Sequence, residues 1–316
     1  MQKQSLPPAI FLMGPTASGK TALSVQLAQT LGGEIISVDS ALVFKGMDIG
    51  TAKPTVEERA GIPHHLMDIL EPWQSYSTGQ FRHQALSLMK DITERGKIPI
   101  LVGGTQLYFN ALFNGLAELP VANLEIRLQL DNDLIQFGKE VLHQRLGNVD
   151  PLAAARIHPN DPQRVQRALE VYEISGQSLS SFFKFQVDNE LPYQAIKLII
   201  APSDRKILHD IIAQRFRAML AQGFVEEVQE LYERGDLNEL MPSMRAVGYR
   251  QVWAYLQGVD DYDAMTEKAI IATRQLAKRQ FTWLRRVEDA FSFQTGQENL
   301  FPEVLALVKA QLRLMD

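Results

Sequence analysis

The stretch Gly14-Pro15-Thr16-Ala17-Ser18-Gly19-Lys20-Thr21 constrains this chain more than any other. It fits G-x-x-x-x-G-K-[ST] and lies where that pattern works. An apolar run, Ala9-Ile10-Phe11-Leu12-Met13, precedes it as a strand. Residues 21–31 follow as a helix, with Leu23, Leu27 and Leu31 on one face. Glycines let the backbone wrap an anion, so that N–H groups and a helix N-terminus aim at phosphate oxygens. Lys20 adds a full positive charge, and the Thr21 hydroxyl can hold Mg²⁺. The candidate cradle is therefore Gly14, Thr16, Ala17, Ser18, Gly19, Lys20 and Thr21. It specifies a di- or triphosphate without saying whose.

At 316 residues the chain is long for one compact domain, and a core with an accessory module is expected. Gly33-Glu34-Ile35-Ile36-Ser37-Val38-Asp39-Ser40 reads as a second buried strand with a polar end. Ligands gather at the carboxyl ends of strands in open α/β sheets, which places Asp39 and Ser40 near the phosphate loop. The plain alternative is that Asp39 caps the next turn. Residues 44–65 read as a loop rich in glycine and proline, and 66–70 as a short third strand. His64 and His65 are adjacent on extended backbone and point to opposite sides, which favours hydrogen-bonding roles over a metal. A helix is expected over 78–95, with Phe81, Ala85, Leu88 and Ile92 at helical spacing and Gly96 as its stop. Pro99-Ile100-Leu101-Val102 then runs as a buried strand into Gly103-Gly104-Thr105. Two glycines there permit close backbone approach to a ligand, and Thr105 offers a hydroxyl; an ordinary strand-to-helix turn reads the same way.

Past residue 118 the alternation of strand and helix stops. Helical patterns occupy 124–137, 140–146 and 162–175. The last has Asn160 or Asp161 as cap, Pro162 in its first turn, and Val165, Leu169 and Tyr172 on its apolar side. Arg164 and Arg167 share another face. Residues 194–202 form a buried strand that rejoins the first sheet, making 119–194 an insertion between 1–118 and 195–316. Helices follow at 204–222, 224–234, 243–257 and 262–286. In the last, Met265, Ala269, Ala272, Leu276 and Trp283 mark the apolar side, and Arg274, Lys278 and Arg285 a basic stripe flanked by Arg279 and Arg286. No acidic residue falls between Thr273 and Val287, although the chain carries a net charge of −5. Such a run is commonly a solvated face. Here Gln275, Gln280, Phe281 and Trp283 interleave polar and stacking groups among the cations, as polyanion-binding surfaces do. The expected fold is α/β: a P-loop, nucleotide-kinase-like parallel sheet flanked by helices, with an all-α insertion domain and a helical C-terminal region.

Zero cysteines exclude disulfides, cysteine–zinc sites and thiol nucleophiles. The first apolar run is too short for a signal-peptide core or a membrane span, so a cytoplasmic protein is expected, with no membrane partner.

These blocks, taken together, resemble the tRNA dimethylallyltransferases (isopentenyl-diphosphate:tRNA transferases). The matching segments are GPTASGKT at 14–21, SVDS at 37–40, MDIGTAKP at 47–54, IPHHLMDI at 62–69 and PILVGGT at 99–105. IHPNDPQRVQRALE at 157–170, VGYRQ at 247–251 and TRQLAKRQFTWLR at 273–285 continue the series. The resemblance implies transfer of a dimethylallyl group from its diphosphate to N6 of the adenosine just 3′ of the anticodon, in tRNAs reading codons that begin with U. It implies Asp39 as general base, Thr105 beside the reacting centre, and Arg215 as a further diphosphate contact. It also places on the tRNA Asp39-Ser40-Ala41-Leu42, Thr105, Arg127, Gln163-Arg164-Val165-Gln166-Arg167 and Arg245-Ala246-Val247-Gly248-Tyr249-Arg250. The series Lys278-Arg279-Gln280-Phe281-Thr282-Trp283-Leu284-Arg285 completes that set. Mg²⁺ is the implied cofactor, the anticodon stem-loop and dimethylallyl diphosphate the partners, and a monomer the expected state. The chain departs from the family where Leu42-Val43-Phe44 replaces a glutamine and Val-Tyr, and where Gln106 follows Thr105. The residues alone also admit a small-molecule kinase, a prenyltransferase of free adenine nucleotides, and an RNA-binding P-loop protein without catalysis.

Overall fold

Every residue from Ala9 to Met13 is fully buried. A strand with no exposed face belongs inside a sheet covered on both sides, as parallel sheets are. In a computed structural model, which describes residues 6–184 and 191–314, this strand, β1 (Pro8–Met13), pairs in parallel with two neighbours. The chain divides into two units, Met1–Leu112 with Leu191–Asp316, and Phe113–Glu190. Both divisions fall a few residues before the boundaries read from sequence, and residues 185–190 of the expected insertion lie outside the described residues.

After β1 come α1 (Lys20–Leu31), β2 (Gly33–Val38), the single turn α2 (Val56–Arg59), the two-residue β3 (His64–His65), α3 (Thr78–Glu94), β4 (Ile98–Gly103) and α4 (Gln106–Asn114). The second unit holds α5 (Leu124–Val149), α6 (Pro151–Arg156), α7 (Pro162–Ser175) and α8 (Leu179–Lys184). The first unit resumes with β5 (Gln194–Ala201), α9 (Arg205–Ala221), α10 (Phe224–Glu233), α11 (Tyr249–Leu256), α12 (Tyr262–Leu284), β6 (Ala290–Gln294) and α13 (Leu300–Arg313). The strands form one six-stranded sheet in the order β3-β2-β4-β1-β5-β6, parallel throughout.

Strand parity decides which core each residue joins. Ile10 and Leu12 share a core with Leu23 and Leu27 of α1 and Val304 and Val308 of α13. Phe11, of opposite parity, meets Phe109 of α4 edge-on at 6.5 Å. A separate core joins α9 to α12 through Phe216, Phe224, Tyr249, Trp253 and Met265, and it takes in Val43, Phe44 and Met47. Burial therefore accounts for the apolar departure at Phe44, whose side chain contributes about 1.5–3 kcal/mol by leaving water; Leu42 is half-buried and outside this core. The second unit packs on Leu130, Leu142, Leu146, Val165 and Leu169.

Local signals set the helix ends. Ser77 and Gln80 form a reciprocal capping box at the start of α3. The Asp161 side chain accepts from the Arg164 N–H, Pro162 fills the first turn, and Gly176 at φ +68° closes α7. The patterns at 124–137 and 140–146 are two parts of α5, broken at Gly138, whose φ is +82°.

Four expectations are corrected. The third strand is His64–His65 rather than 66–70, because Leu66 and Asp68 have left-handed φ of +61° and +54° that no strand continues. The helix expected from 243 begins at Tyr249, since Gly248 at φ +94° interrupts it. The C-terminal third also contains β6, paired with β5 at the sheet edge, and α13. Finally, α12 buries Met265, Ala269, Ile270, Ala277, Gln280 and Leu284, a face rotated from the one read through Ala272 and Leu276.

Glu34 in β2 is buried and receives His65 Nε2 at 2.7 Å, Arg95 Nη2 at 2.7 Å and Lys97 Nζ at 2.9 Å. Burial pushes its carboxyl up, but the bonds from Lys97, His65 and Arg95 outweigh that and hold it at about 2. His64 Nδ1 donates to the Ile62 carbonyl at 2.8 Å. Among the described residues no helix is long and apolar enough to cross a membrane.

Candidate active site

The turn between β1 and α1 is built to leave donors exposed. A Cβ at Gly14 would lie 2.2 Å from the Ile200 carbonyl and 2.8 Å from Ser18 Oγ, so only glycine fits. Ala17 and Gly19 take left-handed φ of +63° and +80°, which curls successive N–H groups toward one point. Gly19 caps α1 without a side chain, and the helix's first N–H groups are left for an anion. Lys20 Nζ folds back onto the Pro15 carbonyl at 2.6 Å and Ser18 Oγ at 3.2 Å. Burial lowers its ammonium to about 7, with Asp39 opposing that shift and Arg215 adding to it. Thr21 is exposed on the cavity wall, and its hydroxyl has no hydrogen-bond partner among the described residues.

Across the mouth of this turn, Asp39 follows β2. Its Oδ1 accepts from the Ala41 N–H at 2.8 Å and the Leu42 N–H at 3.4 Å. The capping role is therefore real, and it consumes one oxygen; Oδ2 has no partner among the described residues. Gly103 is required by crowding, since a Cβ there would meet the Val38 carbonyl at 2.0 Å; one on Gly104 would meet Gln280 Nε2 at 2.5 Å and push that side chain aside. Thr105 N–H donates to the Val38 carbonyl at 3.2 Å, and its Oγ1 accepts from Ser40 N–H at 3.1 Å. The ends of β2 and β4 are thus tied together at the carboxylate.

The remaining walls come from the C-terminal helices. Ile212, Arg215, Phe216 and Met219 of α9, Arg245 to Tyr249 before and at the start of α11, and Thr273, Leu276, Arg279 and Gln280 of α12 line a cavity of about 630 Å³ with the phosphate turn, Asp39 and Thr105. Arg215 is half-buried; burial lowers its pKa and Asp39 raises it, so the two face each other electrostatically. Lys20, Arg215, Arg245 and Arg279 share this lining with only two carboxylates, Asp39 and Glu58. In an acidic protein that is a local excess of positive charge. Among the described residues none of Arg215, Arg245, Arg250, Lys278, Arg279 and Arg285 has an ion-pair partner. Elsewhere cations are mostly spent: Lys53, buried, binds the Phe44 carbonyl, Asp48 and Asp68.

Some expected contacts have other work. Val165, Tyr249 and Leu284 are buried, so their side chains serve packing. Gln280 is buried and binds the Thr16 N–H and the Gly104 carbonyl. Thr16 thus has its N–H engaged, and the free donors of the cradle begin at Ala17. Phe281 and Trp283 are half-buried, and Trp283 stacks on Phe109 at 5.8 Å; the Thr282 hydroxyl donates to the Lys278 carbonyl. Ala246, Val247 and Gly248 line the cavity beside Ser40, Ala41 and Leu42. In the second unit, Arg127 and Arg167 both bind buried Glu170, at 2.8 and 2.6 Å. Arg164 pairs with Asp161, Gln166 donates to Asp131, and Gln163 is exposed.

Sequence reasoning missed Glu227. Its carboxylate accepts from the N–H groups of Asp48, Ile49 and Gly50 at 2.9, 2.7 and 3.1 Å, and from the Tyr249 hydroxyl. It fixes the turn that brings Gly50, Thr51 and Ala52 to the cavity. A glutamate in an amphipathic helix looks solvated in sequence, and nothing local marks it. The apolar lining of Phe216, Met219 and Leu276 likewise looks like ordinary core in sequence.

A glycine-lined anion cradle at the head of a parallel sheet, with a carboxylate at the end of β2 facing it, defines a P-loop α/β protein. The IPP transferase family model matches residues 42–287, and the isopentenyl transferase model residues 8–68. The chain belongs to the IPP transferase family. It is 55% identical over 312 residues to the tRNA dimethylallyltransferase of Methylococcus capsulatus, covering 99% of this chain and 100% of the relative. It is similar in structure to the full-length tRNA isopentenylpyrophosphate transferase of Bacillus halodurans, with a TM-score of 0.72, 36% identity, and coverage of 98% and 97% of the two chains. A eukaryotic dimethylallyltransferase acting on tRNA matches with a TM-score of 0.81 and 29% identity, over 95% of this chain and 78% of the other.

Proposed function

We propose that this chain is a tRNA dimethylallyltransferase, moving the dimethylallyl group of its diphosphate to N6 of the adenosine just 3′ of the anticodon, in tRNAs reading codons that begin with U. The observation that carries the reading is a single cavity lined by the phosphate loop, Lys20, Arg215 and Asp39, with Asp39 close enough to act electrostatically on both cations. In the reaction, the N6 lone pair forms a bond to C1 of the allylic group as the C1–O bond breaks. The electron pair leaves on diphosphate, and the amine proton passes to Asp39. Lys20, Arg215 and the loop donors neutralise the leaving group where its charge develops. Asp39 and Thr105 hold the weakly nucleophilic amine in line. Leu42, Phe216, Met219 and Leu276 offer the prenyl tail an apolar wall.

The free Thr21 hydroxyl on the cavity wall suits Mg²⁺, and diphosphate oxygens would supply most of its other ligands. Bound there, the ion would add Lewis-acid neutralisation of the leaving group. The unpaired cations of 245–250 and 278–285 suit tRNA phosphates, which set affinity, while contacts to the extruded adenine set specificity. Arg127 and Gln163 to Arg167 of the second unit are proposed to meet tRNA as well. A monomer is the proposed state, and a tRNA substrate supports a cytoplasmic location.

The test is one assay with labelled dimethylallyl diphosphate and three acceptors: tRNA, AMP and none. Label entering tRNA alone is expected. Label entering AMP equally well, or neither acceptor, would overturn the reading.

A further inference from the structure

Gln280 sits among residues expected to meet RNA, yet its side chain points inward and is 9% exposed. Its Oε1 accepts from the Thr16 N–H at 2.9 Å, and its Nε2 donates to the Gly104 carbonyl at 2.9 Å. One amide therefore spans the phosphate turn after β1 and the glycine turn after β4, from a helix that carries Arg279 on the cavity wall. A Cβ at Gly104 would lie 2.5 Å from Gln280 Nε2, so a side chain there would displace the amide from its two partners. Only a planar group with an acceptor and a donor on one carbon satisfies both turns together.

We propose that Gln280 is a positioning residue for the transfer: its amide fastens α12 to the phosphate cradle at Thr16 and to the Gly104–Thr105 turn, keeping diphosphate and amine in line. The assignment rests on the transferase reading and adds to it a residue whose action runs through Thr16 and Thr105. Lys20, Asp39, Arg215, Arg245 and Arg279 line the same cavity, so a charge introduced at 280 is felt by the bound anion.

The experiment uses the full-length chain with Gln280→Met and Gln280→Glu. Inorganic diphosphate binding, single-turnover transfer, and binding of an anticodon stem-loop transcript with its salt slope are all measured. For Gln280→Met, diphosphate affinity and single-turnover rate each fall about tenfold, the cost of leaving buried polar groups unpaired, while stem-loop affinity and salt slope stay at wild-type values. Gln280→Glu is closer to glutamine in shape but binds diphosphate more weakly than Gln280→Met, because it places a carboxylate beside an anion. A residue that merely fills space gives the reverse order. The inference is overturned if Gln280→Met keeps wild-type diphosphate affinity and rate, or if stem-loop binding is what it loses. Should Gln280→Met fold poorly, the diphosphate affinity of Gln280→Glu decides alone, and a wild-type value overturns the inference. A wild-type chain that transfers no label to tRNA sinks the transferase reading instead.

Discussion

Ser40 and Thr105, 65 positions apart in sequence, are joined by a hydrogen bond from the Ser40 N–H to Thr105 Oγ1 at 3.1 Å. That bond fastens the turn bearing Asp39 to the end of β4. Thr105→Val removes the acceptor and is expected to lower the single-turnover transfer rate about two- to tenfold, the net worth of one intramolecular hydrogen bond. Thr105→Ser keeps the hydroxyl and should stay close to wild type. Equal rates for the two variants would show that the bond has no part in alignment.

Asp39 uses one oxygen on the Ala41 and Leu42 N–H groups and keeps the other free. Asp39→Asn preserves the capping oxygen and removes the proposed base. Its single-turnover rate should fall about 10²–10⁴-fold while tRNA affinity and melting temperature change little. A near-normal rate removes Asp39 from proton transfer.

Lys20 titrates at about 7 in the free protein, lowered first by burial. A bound diphosphate raises that value, so at pH 8 binding takes up a proton, and affinity falls as pH rises above about 7. Calorimetry in buffers of different ionisation enthalpy reads the uptake directly. Lys20→Arg, always charged, should abolish it. Uptake that persists in Lys20→Arg assigns the proton to another group.

The cations of α12 beyond Arg274 have no acidic partners among the described residues. Lys278→Ala/Arg285→Ala should weaken binding of the anticodon stem-loop and flatten its salt dependence, by about one unit of slope for each phosphate no longer neutralised. An unchanged slope returns the stripe to an ordinary solvated face.

Glu34 lies on the far strand ends from the cavity and concerns stability. Its folded value of about 2 lies below the ordinary 4.5, so its contribution is fully present above pH 4.5 and lost as pH falls toward 2. Glu34→Leu should cost about 1–2 kcal/mol at neutral pH, at the low end because Arg95 and Lys97 are half exposed and can return to water. It should also flatten the acid limb of a melting-temperature profile. An acid limb as steep as wild type would mean other carboxylates dominate it.

The phosphate turn, the strands around it and the return at β5 were legible because each is a local signal: a glycine pattern, a run of apolar residues, a proline or capping group. β3 was not, since two residues carry no periodicity and their pairing with Ile35 and Ile36 is set by the sheet. β6 reads Ala290-Phe291-Ser292-Phe293-Gln294, an alternation overlooked because the chain around it is helical. Gln280 shows the deeper limit. A buried glutamine and a solvated one are spelled alike, and the two turns that satisfy it lie 264 and 176 residues away. Likewise Glu227 and Arg127 are assigned by partners distant in sequence, which no window of residues contains.

The Thr295 hydroxyl donates to the Ser18 carbonyl at 3.0 Å, and Gln280 holds Thr16. The signature at 14–21 is therefore finished by residues 264 and 277 positions further along the chain. During translation a segment that stops short of Gln280 and Thr295 carries the full motif but lacks the braces that shape it, so anion capture must wait until those residues have left the ribosome. A truncated product with an intact signature is then a peptide with the right letters and no grip.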